Sequence, residues 1–129
     1  MISPEALTIL SKPHTQAFIR ERMGHLRYGD WCLMNIGYGI GVEQVIWQAG
    51  MGETDDVIRI PLPIDPFNPE RGLWEMIDWD LFATLTPRDG EMYIFGMPDR
   101  RTKGFCTEWQ PPLLALLQAL ETQLEGGKG

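Results

Sequence analysis

The sequence predicts an α+β fold in which an antiparallel or mixed sheet of about six strands, or two three-stranded halves, is covered by helices. Runs rich in β-branched and aromatic residues follow one another through short turns instead of alternating with helices, the order of antiparallel and not of doubly wound parallel sheets. The chain ends on an amphipathic stretch, with Leu113, Leu116, Leu117, Leu120 and Leu124 on one stripe at helical spacing. With 129 residues, 43% hydrophobic and 22% charged, there is material for one core. A single domain over residues 1–125 is expected, with 126–129 a flexible end.

At the N-terminus, Ser3-Pro4-Glu5 combines a capping hydroxyl, a proline suited to the first helical position and an acid in the first turn, so a helix is expected over residues 4–10. Pro13 interrupts it, and a second helical piece runs to Gly24 with Ala17, Phe18 and Met23 as its buried stripe. Residues 31–36 and 42–47 read as strands around the glycine-rich loop 37–41. A third run, 57–60, stops in Pro61-Leu62-Pro63 and is expected at a sheet edge or at its exit. Loop 64–72 leads into about two helical turns at 73–77. Residues 80–86 and 91–97 flank Pro87-Arg88-Asp89-Gly90 as a hairpin, and 104–109 adds a further strand. Pro111 and Pro112 open the terminal helix, and Gly126 follows its end.

The segments Asp56-Val57-Ile58-Arg59-Ile60-Pro61-Leu62-Pro63 and Asn68-Pro69-Glu70-Arg71-Gly72-Leu73-Trp74-Glu75-Met76-Ile77 precede a hairpin and a leucine-rich helix. In this the second half of the chain resembles small uncharacterised α/β proteins encoded by tailed bacteriophages and prophages. The resemblance implies a helix, three-strand, helix sandwich from Gly72 onward and a phage or prophage context, and it brings no catalytic residue with it.

The balance of 11 Lys+Arg against 18 Asp+Glu gives a net charge of -7, the wrong sign for neutralising phosphates, so nucleic acid is disfavoured as a partner. No basic start followed by an apolar run opens the chain, and no stretch approaches the roughly 18–20 apolar residues of a membrane span. A cytoplasmic location is expected, with Cys32 and Cys106 reduced and buried. They lack a neighbouring Cys or His at metal-ligand spacing, and neither metal nor cofactor is expected.

Several residue groups carry side chains capable of chemistry. Gly37-Tyr38-Gly39-Ile40-Gly41 has the glycines of a phosphate cradle, but a strand follows it and the lysine is missing. Glu75, Asp78 and Asp80 could act as paired carboxylates, yet they read more simply as a solvated helix end. His14 and His25 sit near helix boundaries, and a Cys-His nucleophile would need one of them to meet a cysteine in the fold. Ser3 and Ser11 both read as helix caps. Most of the five tryptophans are expected in the core, with Trp79, set between aspartates, partly exposed. Arg88, Arg100, Arg101 and Lys103 concentrate positive charge in two loops, expected at one end of the second sheet near Tyr93 or Trp109.

The binding residues expected are Trp79, Arg88, Arg100, Arg101 and Tyr38. The sequence thus reads as a non-catalytic binding protein acting on another protein, such as an inhibitor of a host factor, with a homodimer as an alternative assembly. Two alternatives stay open. One is a small enzyme or ligand-binding protein with its pocket between loops 37–41 and 65–72. The other is an assembly subunit pairing through the edge strand near Arg59.

Overall fold

The computed structural model describes residues 3–24, 26–35, 40–44, 58–88, 90–102 and 104–126. The elements are α1 (Pro4–Leu10), α2 (Pro13–Met23), β1 (Trp31–Asn35), β2 (Ile40–Gln44), β3 (Ile58–Leu62), a 3-10 helix (Leu73–Met76), β4 (Phe82–Arg88), β5 (Glu91–Gly96) and α3 (Pro112–Gly126). The class is α+β as expected, but the sheet is not six-stranded. The described strands form one antiparallel sheet of order β2-β1-β3 and a separate two-stranded ribbon, β4-β5.

The missing strand is residues 104–109, which flank β5 only through isolated bridges, Met92 to Gln110 and Phe95 to Cys106. The segment advances one residue more than β5 between those bridges. The Thr107 hydroxyl takes a ladder position there: the Ile94 N–H donates to Thr107 Oγ1 at 3.0 Å while Thr107 N–H donates to the Ile94 carbonyl at 2.8 Å. A side chain standing in for backbone breaks strand regularity. The expected two-turn helix at 73–77 is likewise a single 3-10 turn, Leu73–Met76. Gln123 of α3 ends it, its Oε1 accepting the Asp78 N–H at 2.7 Å and its Nε2 donating to the Met76 carbonyl at 3.2 Å.

Capping follows the sequence closely. Ser3 Oγ accepts the Ala6 N–H at 3.2 Å, and α1 stops at Ser11, whose hydroxyl donates back to the Leu7 carbonyl. Pro13 starts α2, and Gly24, at φ 74°, ends it. The phase set by Pro13 buries Thr15, Ile19 and Met23, so Met23 is buried as expected, while Phe18 is half-buried and Ala17 exposed against the expected stripe.

β3 is an edge strand, as its prolines require, and it holds Pro61 in register with Cys32. The β4–β5 turn is tighter than expected. Pro87 and Arg88 belong to β4, a register shift lies between Leu85 and Arg88, and Arg88 pairs with Glu91 across residues 89–90. Gly90 takes the positive φ of 79° that tight hairpin turns need, and residue 89 lies outside the described residues.

The core gathers Ile9 and Leu10 of α1, Ile19 of α2, Leu33, Ile60 and Leu62 of the first sheet, Met92 and Ile94 of β5, and Leu116, Leu117 and Leu120 of α3. None of the four described tryptophans is buried: Trp31 is 40% exposed, while Trp74, Trp79 and Trp109 are half-buried. The aliphatic stripe of α3 fills the volume that large rings were expected to fill. Among the described residues no helix is long and apolar enough to cross a membrane.

Candidate functional site

Alternation along β5 divides the ribbon into two faces. Met92 and Ile94 are buried toward α3, so Glu91, Tyr93 and Phe95 point the other way. Their cross-strand neighbours Leu85 and Ala83 share that outer face. Leu85 is 48% exposed; the Tyr93 ring lies 5.9 Å from Phe95 and 5.8 Å from Trp109. The outer face of the ribbon is therefore an aliphatic and aromatic surface, bordered by Glu91 and the exposed Glu108.

Cys106 joins this face and is exposed, against the expectation of burial, whereas Cys32 is buried in the first sheet; both are free thiols. Hydrogen bonding to Cys106 raises the Tyr93 phenol above its ordinary range, with desolvation and the Cys106 charge adding to the shift. The partner of the Cys32 thiol is Glu43, which it faces across β1 and β2.

The expected residues are placed as follows. Trp79 is half-buried, its ring 4.3 Å from that of Trp74 at a tilt of 37°, and its indole N–H donates to the Trp74 carbonyl at 3.1 Å. Trp74 in turn meets the exposed Phe67 at 5.8 Å, so these three rings line up along the surface. The turn carrying Trp79 is tied to the loop of Arg100 and Arg101 through the Leu81 carbonyl. That oxygen accepts from Met97 N–H at 2.8 Å and from the Thr102 hydroxyl at 2.7 Å.

Arg100 and Arg101 are exposed there, beside Asp99 at a positive φ of 64°. Arg88 is not near them. It stands at the turn end of the ribbon and they follow Gly96 at the other, so β5 separates them by ~17–20 Å and the expected single patch is two separate ends. Tyr38 and Lys103 lie outside the described residues.

Loop 65–72 is wound tightly around its own polar groups. Asp65 Oδ1 accepts the Phe67 N–H, and Asn68 Oδ1 accepts those of Glu70 and Arg71 at 2.9 Å. A Cβ on Gly72 would lie 2.6 Å from the Asn68 nitrogen, so only glycine closes the loop. This places Arg71 against Asp30, with Nη1 2.6 Å and 2.7 Å from the two carboxylate oxygens and both side chains largely buried.

A cavity of about 200 Å³ opens beside the pair. Loop 65–72 forms one wall, as expected. Met23, Gly29-Asp30-Trp31 and Leu62-Pro63-Ile64 also line it, and residues 37–39 of the other expected wall lie outside the described residues.

The acidic residues at 75–80 serve the chain itself: Asp78 Oδ1 accepts the Asp80 N–H, while Glu75 is exposed. Among the described residues no three His, Cys, Asp or Glu side chains gather as metal ligands would.

Sequence reasoning passed over Leu85 and Phe95. The signal was present in Met92-Tyr93-Ile94-Phe95, an unbroken apolar run in a ribbon that, among the described residues, has helix cover on one side. No family model, curated protein or solved structure matches the chain.

Proposed function

We propose that the protein is a non-catalytic, cytoplasmic binding protein whose partner is another protein, gripped by the outer face of the β4–β5 ribbon. The observation that carries this reading is the row of Leu85, Tyr93 and Phe95 on one face of the hairpin, extended by the Trp109 ring 5.8 Å from Tyr93, with Leu85 48% exposed. Tyrosine and tryptophan are the residues that dominate interface energy, and a two-stranded platform holds them with little entropy left to lose. The border of Glu91 and Glu108 and the net charge of -7 favour a partner whose apolar patch is rimmed by Lys and Arg. Arg100 and Arg101, at the far end of β5, would set association rate more than affinity, and Trp79 would widen the contact on their side. The resemblance to phage and prophage proteins makes a host protein the class of partner, and inhibition of it the effect. Pairing through β3 is less favoured, since Pro61 removes a donor from that edge.

The test is capture from host lysate after nuclease treatment, then titration of the captured protein, once purified, with wild type, Leu85→Asp and Tyr93→Ala. Affinity should fall at least ~10-fold for both variants with thermal unfolding unchanged, as loss of an interface anchor of about 1.4 kcal/mol or more implies. Unchanged affinity, self-association as the sole product, or capture that vanishes with nuclease would each overturn the reading.

A further inference from the structure

We infer that the cavity beside the Asp30–Arg71 pair is a site for one basic group on an apolar stem: an alkylguanidinium or alkylammonium ion, free or as an Arg or Lys side chain. It is separate from the β4–β5 face, being built by the end of α2, the start of β1, the end of β3 and loop 65–72.

Size sets the first limit. At about 200 Å³ the cavity is below the roughly 300–1,000 Å³ of pockets for drug-sized ligands and cofactors. It holds about six or seven non-hydrogen atoms at ~30 Å³ each, the size of one long side chain.

Lining sets the second. Met23, Leu62, Pro63 and Ile64 suit a methylene stem. Trp31, 40% exposed, also lines the cavity, and an indole is the ring that binds cations best.

Charge sets the third. Asp30 and Arg71 neutralise each other, and Asp30 Oδ2 also accepts the Arg27 N–H at 2.7 Å. Asp65 is left as the uncompensated charge. Its Oδ1 accepts the Phe67 N–H, which orients the carboxylate and leaves Oδ2 to a ligand donor. The pocket therefore carries a net negative charge in a chain of net charge -7, and both fields draw cations. An anionic ligand would meet Asp65, and among the described lining residues Arg71, already paired with Asp30, is the one cation.

The probe is n-butylguanidinium, titrated into the 15N-labelled full chain, with the Trp31 indole N–H signal assigned through Trp31→Phe. A saturable shift with a Kd on the order of 1 mM is expected of so small a ligand. The neutral isostere n-butylurea should bind at least ~10-fold more weakly, and Asp65→Asn, which keeps the Oδ1 acceptor for Phe67, should lose a similar factor.

Two further arms, spermidine and the blocked peptide acetyl-Gly-Arg-Gly-amide, separate a free amine from a side chain by which binds tighter. Equal binding of butylurea, unchanged affinity in Asp65→Asn, or no shift at all overturns the site. Leu85→Asp should leave every one of these titrations unchanged, so failure here and failure of the ribbon-face reading are read separately.

Discussion

Replacing Leu117 by alanine tests the element on which the whole core rests. Leu117 is fully buried in α3, between Leu116 and Leu120, and α3 packs on α1, α2, the 3-10 turn and β5. Removing about three buried carbons forfeits roughly 2.4 kcal/mol of transfer free energy at ~0.8 kcal/mol each. A residual cavity of roughly 50–80 Å³ adds ~1–2 kcal/mol at ~24 cal/mol per Å³. The sum, about 3.5–4.5 kcal/mol, is a large share of the ~5–15 kcal/mol that such a domain has. Urea unfolding followed by far-ultraviolet circular dichroism should show the midpoint falling with the slope unchanged, and Tm should drop by about 10–20 °C. Leu85→Ala is the matched control, because the same atoms leave a half-exposed site and stability should move by no more than ~0.5 kcal/mol. A Leu117→Ala midpoint equal to that of Leu85→Ala would refute the packing of α3.

Gly96→Ala should destabilise by at least ~2 kcal/mol, because its Cβ would lie 1.8 Å from the Thr102 carbonyl oxygen, backbone that cannot step aside; Gly41→Ala, 3.4 Å from the flexible end of Met34, should shift the urea midpoint far less. Lys12 and Glu121 form an ion pair joining the α1–α2 corner to α3, and the lysine pKa is raised chiefly by that hydrogen bond, desolvation opposing and the charges of Glu121 and Glu125 adding. A raised lysine pKa means the folded state holds the proton more tightly, so the contribution is fully present at neutral pH and is lost as pH rises through the folded titration, above about 10.4. Lys12→Met should therefore lower Tm at pH 7 and converge with wild type in strong alkali; an offset that persists there would show that the lysine acts by packing instead.

The parts of the fold legible in the sequence were those fixed within a few residues. Ser3, Pro13, Gly24 and Gly90 each dictate a local backbone state, and each does what its chemistry implies. The α3 stripe was legible because one helix face repeats the same demand at Leu116, Leu117 and Leu120. What failed depended on partners distant in sequence: Thr107 replacing backbone beside Ile94, and Gln123 ending the turn at Met76.

The candidate site divides along the same line. Sequence pointed to Trp79 and to the arginines by residue type, but type does not say which face of a strand lacks cover. Only the direction of α3 across the ribbon decides that Met92 and Ile94 are inside while Tyr93 and Phe95 are outside. The tryptophans make the converse point. Once α3 supplies small and aliphatic side chains that interdigitate closely, the described tryptophan rings are left at the periphery, half-buried or exposed. The four described tryptophans are then a property of the surface of this protein, and the surface is where its function has to be sought.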